Sequence, residues 1–147
     1  MRISPGLLLA VPRPHTFTLG ATFGSCSGPY VRSAQISVSF RTRHAISCRS
    51  AIGVPSAGSG TLTWTSPVGL GSSQTSIRLV IDATNGHTTI AHFSGVIRSQ
   101  SNVFSDAQVS GTLVLQRGLA ATSSGGDCSA ATRLDSLALT SATMTIS

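Results

Sequence analysis

Cys26 sits in Gly24-Ser25-Cys26-Ser27-Gly28, the G-x-nucleophile-x-G spacing of a hydrolase elbow. Such an elbow needs a strand, a sharp turn and then a helix. Here Pro29 follows, and then another β-like segment, so no helix can start where the chemistry requires one. The segment reads as a Gly/Ser turn holding a structural cysteine. The remaining candidates for acyl transfer are His15, His44, His87 and His92, with Asp82, Asp106, Asp127 and Asp135. With 25 Ser in the chain, a Ser/His/Asp set can be composed almost at will, so composition selects none. A hydrolase would need a cleft that brings His44 or His92 to about 3 Å from a Ser or Cys and near an Asp.

Other chemistries find less support. His87 and His92 are five apart and point to opposite faces of a regular strand. The three cysteines form no C-x-x-C and no suitable Cys/His pair, so no metal site is expected. The aspartates offer no close pair for acid–base work, and no Gly-rich phosphate loop is present, so no cofactor is expected. Asp127 and the run Asp82 to Asn85 read as turn residues. His87 reads as exposed after a hairpin turn, and His92, between Ala91 and Phe93, as half-buried. Trp64, the one tryptophan, suits a sugar-stacking platform or a β core, and the core is the commoner place.

The elements that must position these residues are strands. The 25 Ser, 17 Thr and 15 Gly dominate the chain, and there is no Glu and no Lys. Thr favours a half-exposed pleated surface, Ser and Gly favour turns, and the poverty in helix formers disfavours long helices. Alternation is clear over Thr16 to Phe23, Ala34 to His44, Thr61 to Thr65, Thr75 to Asp82, His87 to Ile97, Ala107 to Gln116 and Leu134 to Ile146, the last as one strand or two. Asn85-Gly86 is the strongest hairpin signal. Gly24 to Pro29, Ile52 to Gly60, Pro67 to Ser73, Ser99 to Ser105 and Gly118 to Gly126 read as turns and loops. The expectation is all-β: an antiparallel sandwich or barrel of roughly seven to nine or more short strands, without substantial helix. Residues 15–147 form one domain, and 1–14 an irregular segment, the remnant of a truncated first strand region. The period of two places Phe17, Leu19, Ile36, Val38, Phe40, Leu62, Trp64, Ile77, Leu79, Ile81, Phe93, Val109, Leu113 and Leu139 in the core, with Ser37, Ser39, Thr63 and Arg78 on the other face.

Ten Arg against four Asp give a net charge of +6. The arginines are spread along the chain, and Arg41, Arg43 and Arg49 alone approach a cluster. Weak attraction to anionic surfaces is expected, without a specific nucleic-acid site. No apolar run approaches the about 18–20 residues a spanning helix needs, and the opening MRISPGLLLAVPRP lacks the cleavage site of a complete signal peptide.

Four pieces in order, GSCSGP at Gly24 to Pro29, Ser47-Cys48, GTLTW at Gly60 to Trp64 and GGDC at Gly125 to Cys128, resemble a family of small secreted all-β proteins common in actinobacteria. The resemblance extends over about residues 4 to 147 and departs from the pattern at Ser101 to Asp106, where glycines are missing. It implies an extracellular or cell-envelope setting, and supplies no catalytic residues. It also implies that a signal peptide and a first Cys-bearing strand precede Met1. That missing cysteine would partner Cys26 and leave Cys48 to pair with Cys128. Three functions follow as expectations: a non-catalytic secreted or envelope domain with a structural or binding role, a hydrolase using Ser or Cys with His, or a barrel binding a small apolar ligand.

Overall fold

The computed structural model describes residues 1–24, 26–27, 31–66, 69–84, 87–98, 104, 106–117, 128 and 133–147. The expected turn at Asn85-Gly86, the loop at Gly118 to Gly126, Asp127, half of the 24–29 connection and most of the 99–105 connection lie outside the described residues.

Among the described residues nine strands form one antiparallel sheet: β1 (Arg2–Leu7), β2 (Thr16–Phe23), β3 (Ser33–Thr42), β4 (Pro55–Ser66), β5 (Gly69–Thr84), β6 (Thr88–Arg98), β7 (Gln108–Gln116), β8 (Leu134–Ser136) and β9 (Ala138–Ile146). Among the described residues the helical content is a single 3-10 turn, Cys48–Ser50. Strands β1 to β7 run up and down, each paired with the next. The sheet order is β8-β1-β2-β3-β4-β5-β6-β7-β9, so its two edges are β8 and β9. These are consecutive in the chain, with Leu137 between them, and the sheet therefore curls into a nearly closed barrel. Leu137 N–H donates to the Met1 carbonyl at 2.9 Å.

The inner face is apolar. On β3 the alternation is complete: Ala34, Ile36, Val38, Phe40 and Thr42 are buried, while Gln35, Ser37, Ser39 and Arg41 are exposed. All the expected core residues are buried except Leu139, which is half-buried at the β9 edge. Ser37, Ser39, Thr63 and Arg78 are exposed, as the period of two requires.

Three segments read as irregular in sequence are strand. Pro55–Gly60 opens β4 and Gly69–Ser73 opens β5, where loops were expected. The cause is complementarity across the pairing. Gly58 and Gly60 stand opposite Phe40 and Val38, and a Cβ on either would strike the β3 backbone. Gly71 lies under the Trp64 indole in the same way. These glycines are strand residues because the neighbouring backbone and rings occupy the space a side chain would need. Arg2–Leu7, within the segment expected to be irregular, is β1. It pairs with β2 over Arg2, Ile3 and Ser4 and with β8 at Arg2 and Leu7, with a register break between. Pro5, which has no N–H to donate, falls in that break.

Cys48 and Cys128 are joined by a disulfide across 80 residues, with Cα atoms 6.5 Å apart and both side chains buried. Cys26 is free and half-buried.

Two outcomes are expected. Gly60→Ala should lower stability by about 1–3 kcal/mol through overpacking, whereas Gly20→Ala, where an added Cβ meets nothing within 4 Å, should be neutral or slightly stabilising; urea midpoints compare the two. Digestion without reduction should release a peptide joining Cys48 to Cys128, and reduction should cost ~4 kcal/mol of stability if chain entropy dominates. Recovery of a Cys26–Cys48 peptide would contradict the connectivity.

Candidate functional site

The strands bring together one imidazole, one hydroxyl and one carboxylate. His92 on β6 stands directly opposite Thr112 on β7, and its Nδ1 lies 3.0 Å from Thr112 Oγ1. Its Nε2 lies 3.5 Å from Asp82 Oδ2. Asp82 reaches this position through a register shift in β5: Ile81 pairs with Ala91 and Ala83 with Ile90, leaving Asp82 as the extra residue. Asp82 was expected where the strand Thr75 to Asp82 passes into a turn, and His92 half-buried. Asp82 lies within β5, which runs on to Thr84, and the two side chains are 63% and 52% exposed. His92 faces outward because Ala91 and Phe93 take the inward positions on either side.

The order carboxylate–imidazole–hydroxyl is that of a hydrolytic triad, but its surroundings differ from those of an active site. Acyl transfer needs fixed donors aimed at the developing oxyanion. Around Thr112 the backbone of β6, β7 and β9 is engaged in ladders, with Thr112 paired to both His92 and Thr143. The group lies on the outer face of the sheet, where water screens its charges. As it stands, the arrangement is a cross-strand polar contact that links β5, β6 and β7.

The other candidates are dispersed. His44 and His87 are exposed. Cys26 N–H donates to the Arg32 carbonyl at 3.4 Å, and its neighbours Ser25 and Gly28 lie outside the described residues. Trp64 is buried and meets Phe104 edge-to-face, with centroids 5.0 Å apart and planes at 83°, which makes it a core residue and not a sugar platform. Asp135 pairs with Arg133 at 3.0 Å on the surface. Asp106 sits at φ 58°, a conformation Asp tolerates better than most residues. Among the described residues no group of three or more His, Cys or acidic side chains could hold a metal ion, and no helix is long and apolar enough to cross a membrane.

His15, one of the four histidines considered for acyl transfer, is the most enclosed of them, at 1% exposure. Its Nδ1 meets the Pro5 carbonyl and its Nε2 lies 3.1 Å from the Ile46 carbonyl. Its backbone N–H donates to Thr42 Oγ1 at 3.0 Å. The ring thus ties β1 to the Arg13–Ile46 bridge. The signal was present: His15 precedes Phe17 and Leu19 at spacing two, so extending that face back by one step points His15 inward.

The outer face also carries a shallow groove of about 630 Å³ over β4, β5 and β6, bordered by Arg78 and Arg98.

No family model matches the chain, and neither a curated protein nor a solved structure matches it. The resemblance to the actinobacterial secreted proteins rests on its motifs alone.

His15→Leu should lower stability by about 1–3 kcal/mol, because an enclosed carbonyl, of Pro5 or Ile46 according to the tautomer, loses its ring N–H donor. His92→Ala, on the exposed face, should change it by less than about 0.5 kcal/mol. Chemical denaturation of the two variants gives the comparison.

Proposed function

We propose that this protein is a non-catalytic β-domain of the cell exterior or envelope that acts by binding through its outer surface. The observation that carries the reading is the placement of its chemistry. The one His–hydroxyl–carboxylate chain described lies open on the outer face, while the inner face is occupied by side chains such as Phe17, Phe40, Leu62, Leu79 and Leu113. The disulfide is consistent with an oxidising compartment. The motif resemblance points to the same setting.

The hydrolase reading is favoured by the His92 contacts and opposed by the absence of an aimed oxyanion donor or cleft around Thr112 among the described residues. The apolar-ligand barrel would require an interior cavity of about 300 Å³ or more; the groove bordered by Arg78 and Arg98 is on the outside and is not apolar.

The test is hydrolysis of p-nitrophenyl acetate and butyrate by the native protein, His92→Ala and Thr112→Val. Equal rates for all three are expected. A tenfold or greater loss in both variants would establish a working triad and end the non-catalytic reading.

A further inference from the structure

We propose that the outer face of β3 to β6 is a binding surface for a linear acidic polysaccharide, held by Arg41, Arg78 and Arg98. The inference deepens the binding role proposed above and rests on it.

Strand register places the three arginines on one face. Arg41 pairs with Ala57, and Ala57 pairs with Arg78, so the three form one row across β3, β4 and β5. Adjacent strands are about 4.8 Å apart, which puts the two arginine Cα atoms about 10 Å apart. Arg98 on β6 pairs with Gln74, four residues before Arg78 on β5, and so lies roughly 14 Å from Arg78. All three arginines are exposed.

Between them the surface is low. Ala57, Ser76 and Ser94 line the groove bordered by Arg78 and Arg98, and their side chains are too short to fill it. Long arginines standing over small neighbours make a furrow with positive walls. Asp106 is the one acid among the lining residues, so the face stays net positive. Neither Arg78 nor Arg98 belongs to an ion pair among the described residues; those present use His92 with Asp82 and Arg133 with Asp135.

The chemistry of the furrow selects the partner. A guanidinium presents paired N–H donors that match carboxylate or sulfate oxygens. The spaces between the arginines carry Ser59, Ser76, Ser94 and Gln74, which exchange hydrogen bonds with a hydroxyl-rich chain. Nucleic acid fits less well. Binding to single strands relies on aromatic platforms for the bases, and Phe40, Trp64 and Phe93 on these strands are all turned inward.

The test is fluorescence anisotropy with a labelled heparin octasaccharide in low salt, competed by oligothymidylate, inorganic polyphosphate and neutral dextran. The octasaccharide should bind, weaken as salt rises, and resist displacement by dextran. Arg41→Gln/Arg78→Gln/Arg98→Gln should lose at least tenfold in affinity. Arg2→Gln/Arg13→Gln/Arg49→Gln, with the same net charge, should stay within threefold of the native protein. Arg98→Gln alone, with an unchanged thermal midpoint, should lose about threefold and separates a lost contact from a lost fold. The proposal is overturned if the native protein does not bind, if both triple variants lose affinity equally, or if oligothymidylate or polyphosphate binds more tightly than the octasaccharide. The length of the octasaccharide after incubation tests the underlying reading separately. Shortening would end the non-catalytic assignment and leave the arginine furrow standing.

Discussion

The structure depends on closure of its sheet. A meander of seven strands would leave two open edges, each a row of unpaired donors and acceptors ready to recruit another chain. Here one stretch, Leu134–Ile146, serves both: its first part pairs with β1 and the rest with β7, and Leu137 makes the junction. Because that stretch must reach both ends of the sheet at once, the strands between are forced to curl. The curl in turn demands close approach on the inside. That demand is met where Gly58 and Gly60 lie against β3 and where Gly71 lies under Trp64. Closure, curvature and the large–small pairing of the core are one geometric requirement seen at three scales.

The fold class was legible because the period of two survives wherever a strand carries ordinary apolar side chains. Ala34 to Phe40 and Ile77 to Ile81 show it without interruption, and both are buried on the face expected. What escaped were strands whose inward residues are glycine or serine. In Pro55–Gly60 the inward positions are Ser56, Gly58 and Gly60, which in isolation are turn formers. Their strand state is set by Phe40 and Val38 across the ladder, information that resides in β3 and not in the segment itself. Pro5, a residue that would end an ordinary strand, sits where β1 breaks register.

The site was less legible than the fold. His92 was a named candidate, but its partners depend on a single extra residue in β5 that turns Asp82 outward beside it. No spacing rule in the chain marks that bulge. The arginine row is a consequence of register: Arg41 and Arg78 are 37 positions apart in sequence and become near neighbours through Ala57. Counting the arginines along the chain showed them scattered, because the sheet, and not the chain, is the frame in which they gather.

The Cys48–Cys128 bond has a consequence for damage. It closes a covalent ring that contains the whole of β4, β5, β6 and β7. A protease that nicks the backbone once between these cysteines opens the ring without dividing the molecule, and both pieces remain tethered at the sulfur bridge. Strands β4 to β6, on which the groove lies, are thus insured against a first cut in a way that β1 to β3, outside the ring, are not. In an extracellular setting, where proteases are encountered and nothing is resynthesised in place, that asymmetry would extend the working life of the outer face.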